Sequence, residues 1–139
     1  MWFYYALLSA LFAAFTAVFA KMGVSGNINS NLATGIRTII ILVLVWSIVF
    51  INGEAKQISS LSKTNIIFLV LSGIATGLSW LFYFKALQIG KVSQVAAVDK
   101  LSVAIAIILS VLFFKESLTL KTVIGAVLII SGTILFAFK

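Results

Sequence analysis

Asp99 and Lys100 stand side by side in an otherwise apolar run, VSQVAAVDKLSVAIAIILSVLFF, from Val92 to Phe114. Arg37 and Lys85 interrupt apolar runs in the same way. A charged side chain deep in hydrocarbon costs roughly 3 kcal/mol or more. Such groups face a protein interior or a water-filled cavity, and they mark ion or substrate paths by default. Two aromatic residues three apart, Trp80 and Tyr83, lie shortly before Lys85 and could line a cavity near it, although aromatics at helical spacing more often pack.

Other chemistry has little support. The chain has no Cys and no His, which removes disulfides, thiol nucleophiles, the commonest metal ligand and the usual acid–base group. Its three carboxylates, Glu54, Asp99 and Glu116, lie far apart in sequence and show no spacing for hydrolysis or metal binding. No glycine loop of the phosphate-binding type occurs. An enzyme, a metal site, a bound cofactor and an ATP-driven pump are therefore not expected.

Of the 139 residues, 63% are hydrophobic and 9% charged. A soluble domain carries about 25% charged residues, so this chain is built for lipid. The net charge of +7 comes from basic residues scattered singly, with no patch. They read as topology signals and headgroup contacts, and nucleic acid is not an expected partner.

A membrane-spanning helix needs about 20 apolar residues. Five stretches qualify, at about 2–22, 32–51, 65–89, 93–114 and 120–138. The segments between them, GVSGNINSN, NGEAKQISSLSKT, GK and KESLT, are short and polar, as turns between antiparallel helices are. The expected fold is an all-α integral membrane protein, a single five-helix transmembrane domain over 1–139. The first stretch lacks the preceding positive charge of a signal peptide and is too long for one, so it reads as a retained span. Its Trp2, Phe3, Tyr4 and Tyr5 suit an interfacial belt. Glu116, Ser117 and Thr119 suit the turn before the last span, and Glu54 reads as a solvated loop charge.

These spans put the charges in one layer. At 1.5 Å rise per residue, Arg37, Lys85, Asp99 and Lys100 lie about 8–11 Å from the ends that share a side with the C-terminus, the far side. Asp99 and Lys100 would be about 100° apart on a continuous helix, so each would need its own partner. Lys85, across the tight GK hairpin, and Arg37 are the candidates for Asp99. Two roles stay open: a structural ion pair with lysines reaching to the headgroups, or a polar half-cavity of net charge near +2, suited to an anionic or zwitterionic ligand.

Small residues mark packing faces: Gly73 and Gly77 in the third span, Gly125 and Gly132 in the fifth. Either helices of one bundle or two subunits could meet there, and the fifth span is the better candidate for a contact between subunits. The loop charges barely fix orientation. Lys56, Lys63, Lys115 and Lys121 on the near side face Lys21, Lys91 and Lys139 on the far side, four against three. Adding Arg37, Lys85 and Lys100 reverses the balance to four against six. Both orientations are permitted.

The segment Gly77 to Leu135 resembles the second half of an EamA-type repeat of the drug/metabolite transporter superfamily. The matching residues are Tyr83–Leu87 at a helix end, the Gly90 turn, the apolar helix Val95–Phe114, the acidic turn Glu116–Thr119 and the final GAVLIISGTIL of Gly125–Leu135. A small-residue first helix and Arg37 near the start of the second fit the rest. VDKLS at Val98–Ser102 is similar to a subgroup of small members. The resemblance implies a gradient-driven carrier of small metabolites in the plasma membrane, with ten spans made of two inverted repeats. This chain is one repeat, so alternating access would need a dimer, with antiparallel pairing of two copies permitted. The expected partners are a small-molecule substrate, membrane lipid and a second copy. Competing functions are a scaffold or accessory subunit that pairs with another half-transporter, and a lipid flippase; a channel is least expected.

Overall fold

The computed structural model describes residues 1–137; Phe138, expected to end the fifth span, and Lys139 lie outside the described residues. The described residues are helical, without a strand. The long elements are α1 (Trp2–Gly23), α2 (Ser30–Ile51), α3 (Lys63–Ile89), the pair α4 (Val92–Asp99) and α5 (Leu101–Phe114), and α6 (Leu120–Ala137). Counting Val92–Phe114 as one segment, five are long and apolar enough to cross a membrane. The chain has an all-α membrane-protein fold.

Helix ends follow local chemistry. The Asn29 side chain caps α2, accepting from the Asn31 N–H at 2.8 Å. Gly53, at φ 69°, ends α2 in a left-handed conformation that favours glycine. The following linker winds into a 3-10 helix, Glu54–Ser60, where the sequence suggested only a turn. The Ser62 hydroxyl accepts from the Asn65 N–H at 3.1 Å and starts α3. Thr119 caps α6 through the Thr122 N–H at 3.2 Å, so the cap expected around Glu116 falls to Thr119. Hydroxyls within the spans turn back on their own helices: Thr34 donates to the Ser30 carbonyl and Thr38 to that of Thr34.

The residues group into two compact units, one of residues 19–88 and one of residues 1–18 with 89–137. In the first unit, Val24, Phe84 and Leu87 are buried, with Ser30 and Thr34. In the second, α6 packs against both α4 and α5, and Ala17, Ala104 and Thr133 are buried. Most large apolar side chains on α1, α2, α3, α5 and α6 are exposed, among them Ile40, Phe68 and Leu112. A soluble fold would not leave such faces open, whereas acyl chains or a second subunit would cover them.

Candidate functional site

The fourth span is interrupted where its charges lie. A continuous helix was expected over 93–114, but α4 stops at Asp99 and α5 begins at Leu101, with Lys100 between them. The ladder tightens at this point: the Lys100 N–H donates to the Ala97 carbonyl at 3.1 Å, and the Val103 N–H to the Lys100 carbonyl at 3.0 Å. Both are i→i+3 bonds of 3-10 type. The Ala97 carbonyl has a second donor, the buried Thr133 hydroxyl of α6, at 3.1 Å. A side chain entering the backbone ladder is one of the few causes of a break without Pro or Gly.

The break changes what Asp99 and Lys100 do. Lys100 Nζ lies 3.7 Å from Asp99 Oδ2. The expectation that neighbours on one helix could not pair is thus corrected: the tightened turn and the long lysine stem let them meet. Both side chains remain open, Asp99 at 40% and Lys100 at 57% exposure. In water such a pair contributes at most about 1 kcal/mol. In hydrocarbon its value is that it replaces two isolated charges by one dipole.

Residues 19–88 hold the other charges. The Arg37 guanidinium, on α2, lies 4.2 Å from the centre of the Trp80 ring and 5.2 Å from that of Phe84, both on α3. Trp80 and Phe84 are four residues apart and share one helix face. A guanidinium over such rings gains about 0.5–2 kcal/mol. Tyr83, half-buried, sits one turn from Trp80. Lys85, expected opposite Asp99, has its ammonium 3.4 Å from the Gln88 side-chain oxygen.

Gln88 is a hub that sequence reading passed over. Its amide donates to the Ile28 carbonyl at 2.8 Å, tying the α1–α2 loop to the end of α3. Its backbone carbonyl lies 3.5 Å from Lys21 Nζ, which also donates to the Leu87 carbonyl at 2.6 Å. From sequence, Lys21 reads only as a topology charge. A cation on the last carbonyls of a helix suits the negative end of its dipole. Thr133 and Phe84 were also missed; a hydroxyl deep in an apolar helix and an aromatic four residues from Trp80 were the available signals.

The glycines of the small-residue faces have open space beside them among the described residues. A Cβ added at Gly73, Gly77, Gly125 or Gly132 would find no other described atom within 4 Å.

Five apolar helices, with charges held by a broken span and by aromatic rings, define a multi-pass membrane protein. The chain belongs to the EamA-like transporter family, whose family model matches residues 1–138. It is similar to an uncharacterised transporter encoded in the cobO 3' region of Sinorhizobium sp, 48% identical over 136 residues, which cover 98% of this chain and 96% of that one. An uncharacterised protein of Methanocaldococcus jannaschii is 36% identical over 84 residues, covering 60% of this chain and 61% of its own. No solved structure matches the chain.

Proposed function

We propose that the chain is a secondary carrier of small metabolites in the plasma membrane, acting as a homodimer by alternating access. The observation that carries this is the interruption of the fourth span at Asp99–Lys100. Carriers bind substrate and coupling ions where spanning helices are discontinuous, because unwound backbone and helix ends offer polar groups at depth. Asp99 and Lys100 form the coupling element, and Arg37, Lys85, Trp80 and Tyr83 the substrate-binding residues.

Two considerations favour a dimer. Alternating access requires two halves that rock about a shared site, and this chain holds one five-helix repeat. The Sinorhizobium relative, matched over 96% of its length, is of the same size. The balanced loop charges permit the antiparallel arrangement.

The test is flux. Purified protein in liposomes is loaded with a panel of small metabolites, and exchange is followed by mass spectrometry. The expected result is saturable, gradient-dependent flux that Asp99→Asn abolishes while chemical cross-linking still captures the dimer. Wild-type flux in the variant ends the role given to Asp99. Flux that appears only when a second family member is co-reconstituted makes this chain a heteromer subunit and overturns the homodimer.

A further inference from the structure

The two units divide their charge unequally. In the second unit Asp99 and Lys100 pair, so the expected layer of four groups loses one charge of each sign. The remaining two cations, Arg37 and Lys85, lie in the first unit. The only Asp or Glu within residues 19–88 is Glu54. It follows α2 and lies 3.4 Å from the Asn52 amide. From Arg37 to the end of α2 at Ile51 is about 20 Å along the axis.

Arg37 therefore has no carboxylate from its own unit. Its face rests on Trp80 and Phe84, and the guanidinium makes no hydrogen bond to the described residues of that unit. Stacking uses the face of the guanidinium and leaves the in-plane N–H edge for an acceptor. That edge matches the two oxygens of a carboxylate or a phosphate bidentately. Rings on one side and hydrocarbon around the span lower the local dielectric and strengthen such a pairing. Lys85 differs, because the Gln88 oxygen already engages its ammonium.

We infer that Arg37, held on Trp80 and Phe84, is the oxyanion site of this protein, and that its ligand presents a carboxylate or a phosphate. This deepens the carrier reading and rests on it for the word substrate; anion binding itself stands apart from transport. It also selects among the ligand classes open from sequence. A zwitterion's amine would find no carboxylate of this unit at that end of α2, so a plain anion suits the site better.

The experiment uses Trp80 as its own reporter. Trp2→Phe and Trp46→Phe leave it as the single tryptophan, since the chain has three. The protein in nonionic detergent is titrated with hexanoate, its neutral counterpart hexanamide, inorganic phosphate and dioctanoyl phosphatidate. The expected result is a saturable change in Trp80 emission with at least one oxyanion and none with hexanamide. Arg37→Gln should raise the half-saturating concentration at least about tenfold. Arg37→Lys keeps the charge but not the fork, and should raise it at least about threefold; it decides the matter if the glutamine variant loses helicity.

Saturation by hexanoate or inorganic phosphate identifies a soluble anion as the ligand. Saturation by phosphatidate alone identifies a lipid headgroup. An equal response to hexanamide, or unchanged binding in both variants, overturns the oxyanion site. Anion binding without flux in liposomes would reject the carrier and keep the site; flux without Arg37-dependent binding would do the reverse.

Discussion

The Lys21 ammonium lies 2.6 Å from the carbonyl oxygen of Leu87, a fully buried residue. The last carbonyls of a helix have no partner within it, and an unsatisfied one in hydrocarbon costs several kcal/mol. Lys21 meets that need with a charge of the favoured sign.

Replacing Lys21 by Met keeps the stem and removes the donor. A hydrogen bond to a charged group contributes about 1.5–3 kcal/mol when its partner is left buried. Lys21→Met should lower the unfolding free energy by that amount in a mixed-micelle titration. Lys21→Arg should recover most of it. An unchanged midpoint in Lys21→Met would show that water serves the Leu87 carbonyl equally well.

Thr133 donates to the Ala97 carbonyl at the break in the fourth span. Thr133→Val is nearly isosteric and loses only the donor, so about 1 kcal/mol of stability should go. The i→i+4 ladder then competes at Ala97 with the Lys100 N–H alone, and α4 and α5 should straighten. Spin labels at Ser93 and Leu109, placed cleanly because the chain has no Cys, should report a longer separation in Thr133→Val than in wild type. Thr133→Ser should keep the wild-type distance.

That break shows where sequence reading stops. The five spans were legible because each needs a long apolar run and nothing else. Caps such as Thr119 were legible because they act on residues three positions away. Nothing near Lys100 announces an interruption: the segment Ala97–Leu101 has neither Gly nor Pro. The hydroxyl that reaches the Ala97 carbonyl at that point lies 36 residues further on. Arg37 was recognised as a misplaced charge, but its support comes from Trp80, 43 positions later (80 less 37). Contacts of that range depend on packing between helices, and lipid-facing helices carry little periodicity to betray which face packs.

Gly125 and Gly132 offer a separate test of the dimer. A Cβ at either would meet no described atom within 4 Å, so Ala should be tolerated by the fold of the chain. If α6 joins two subunits, a larger side chain should separate them. Gly132→Leu should keep its helicity and lose the cross-linked dimer, while Gly73→Leu, on α3, keeps both. A dimer that survives both Gly125→Leu and Gly132→Leu would remove α6 from the interface.

Orientation decides between antiparallel and parallel dimers, and one residue of the near side gives a handle on it. Lys115 ends α5 at φ 54°, a left-handed conformation that costs a non-glycine residue about 1 kcal/mol. It is also one of the four near-side loop lysines set against three on the far side. Lys115→Gly should therefore stabilise the helix end by up to about 1 kcal/mol and at the same time erase the charge bias. A single cysteine at Asn27, in the far-side loop, can be labelled in intact cells with an impermeant thiol reagent. In the wild-type background about half the copies should label if both orientations exist. Adding Lys115→Gly should move that fraction closer to one half. Adding instead Ser59→Lys and Ser60→Lys, which raises the near-side count from four to six, should drive it towards one extreme. If orientation carries the function, that last variant should lose flux in cells and regain it when co-expressed with a copy forced the other way. All-or-none labelling in the wild type would leave the parallel dimer or a heteromer as the working unit.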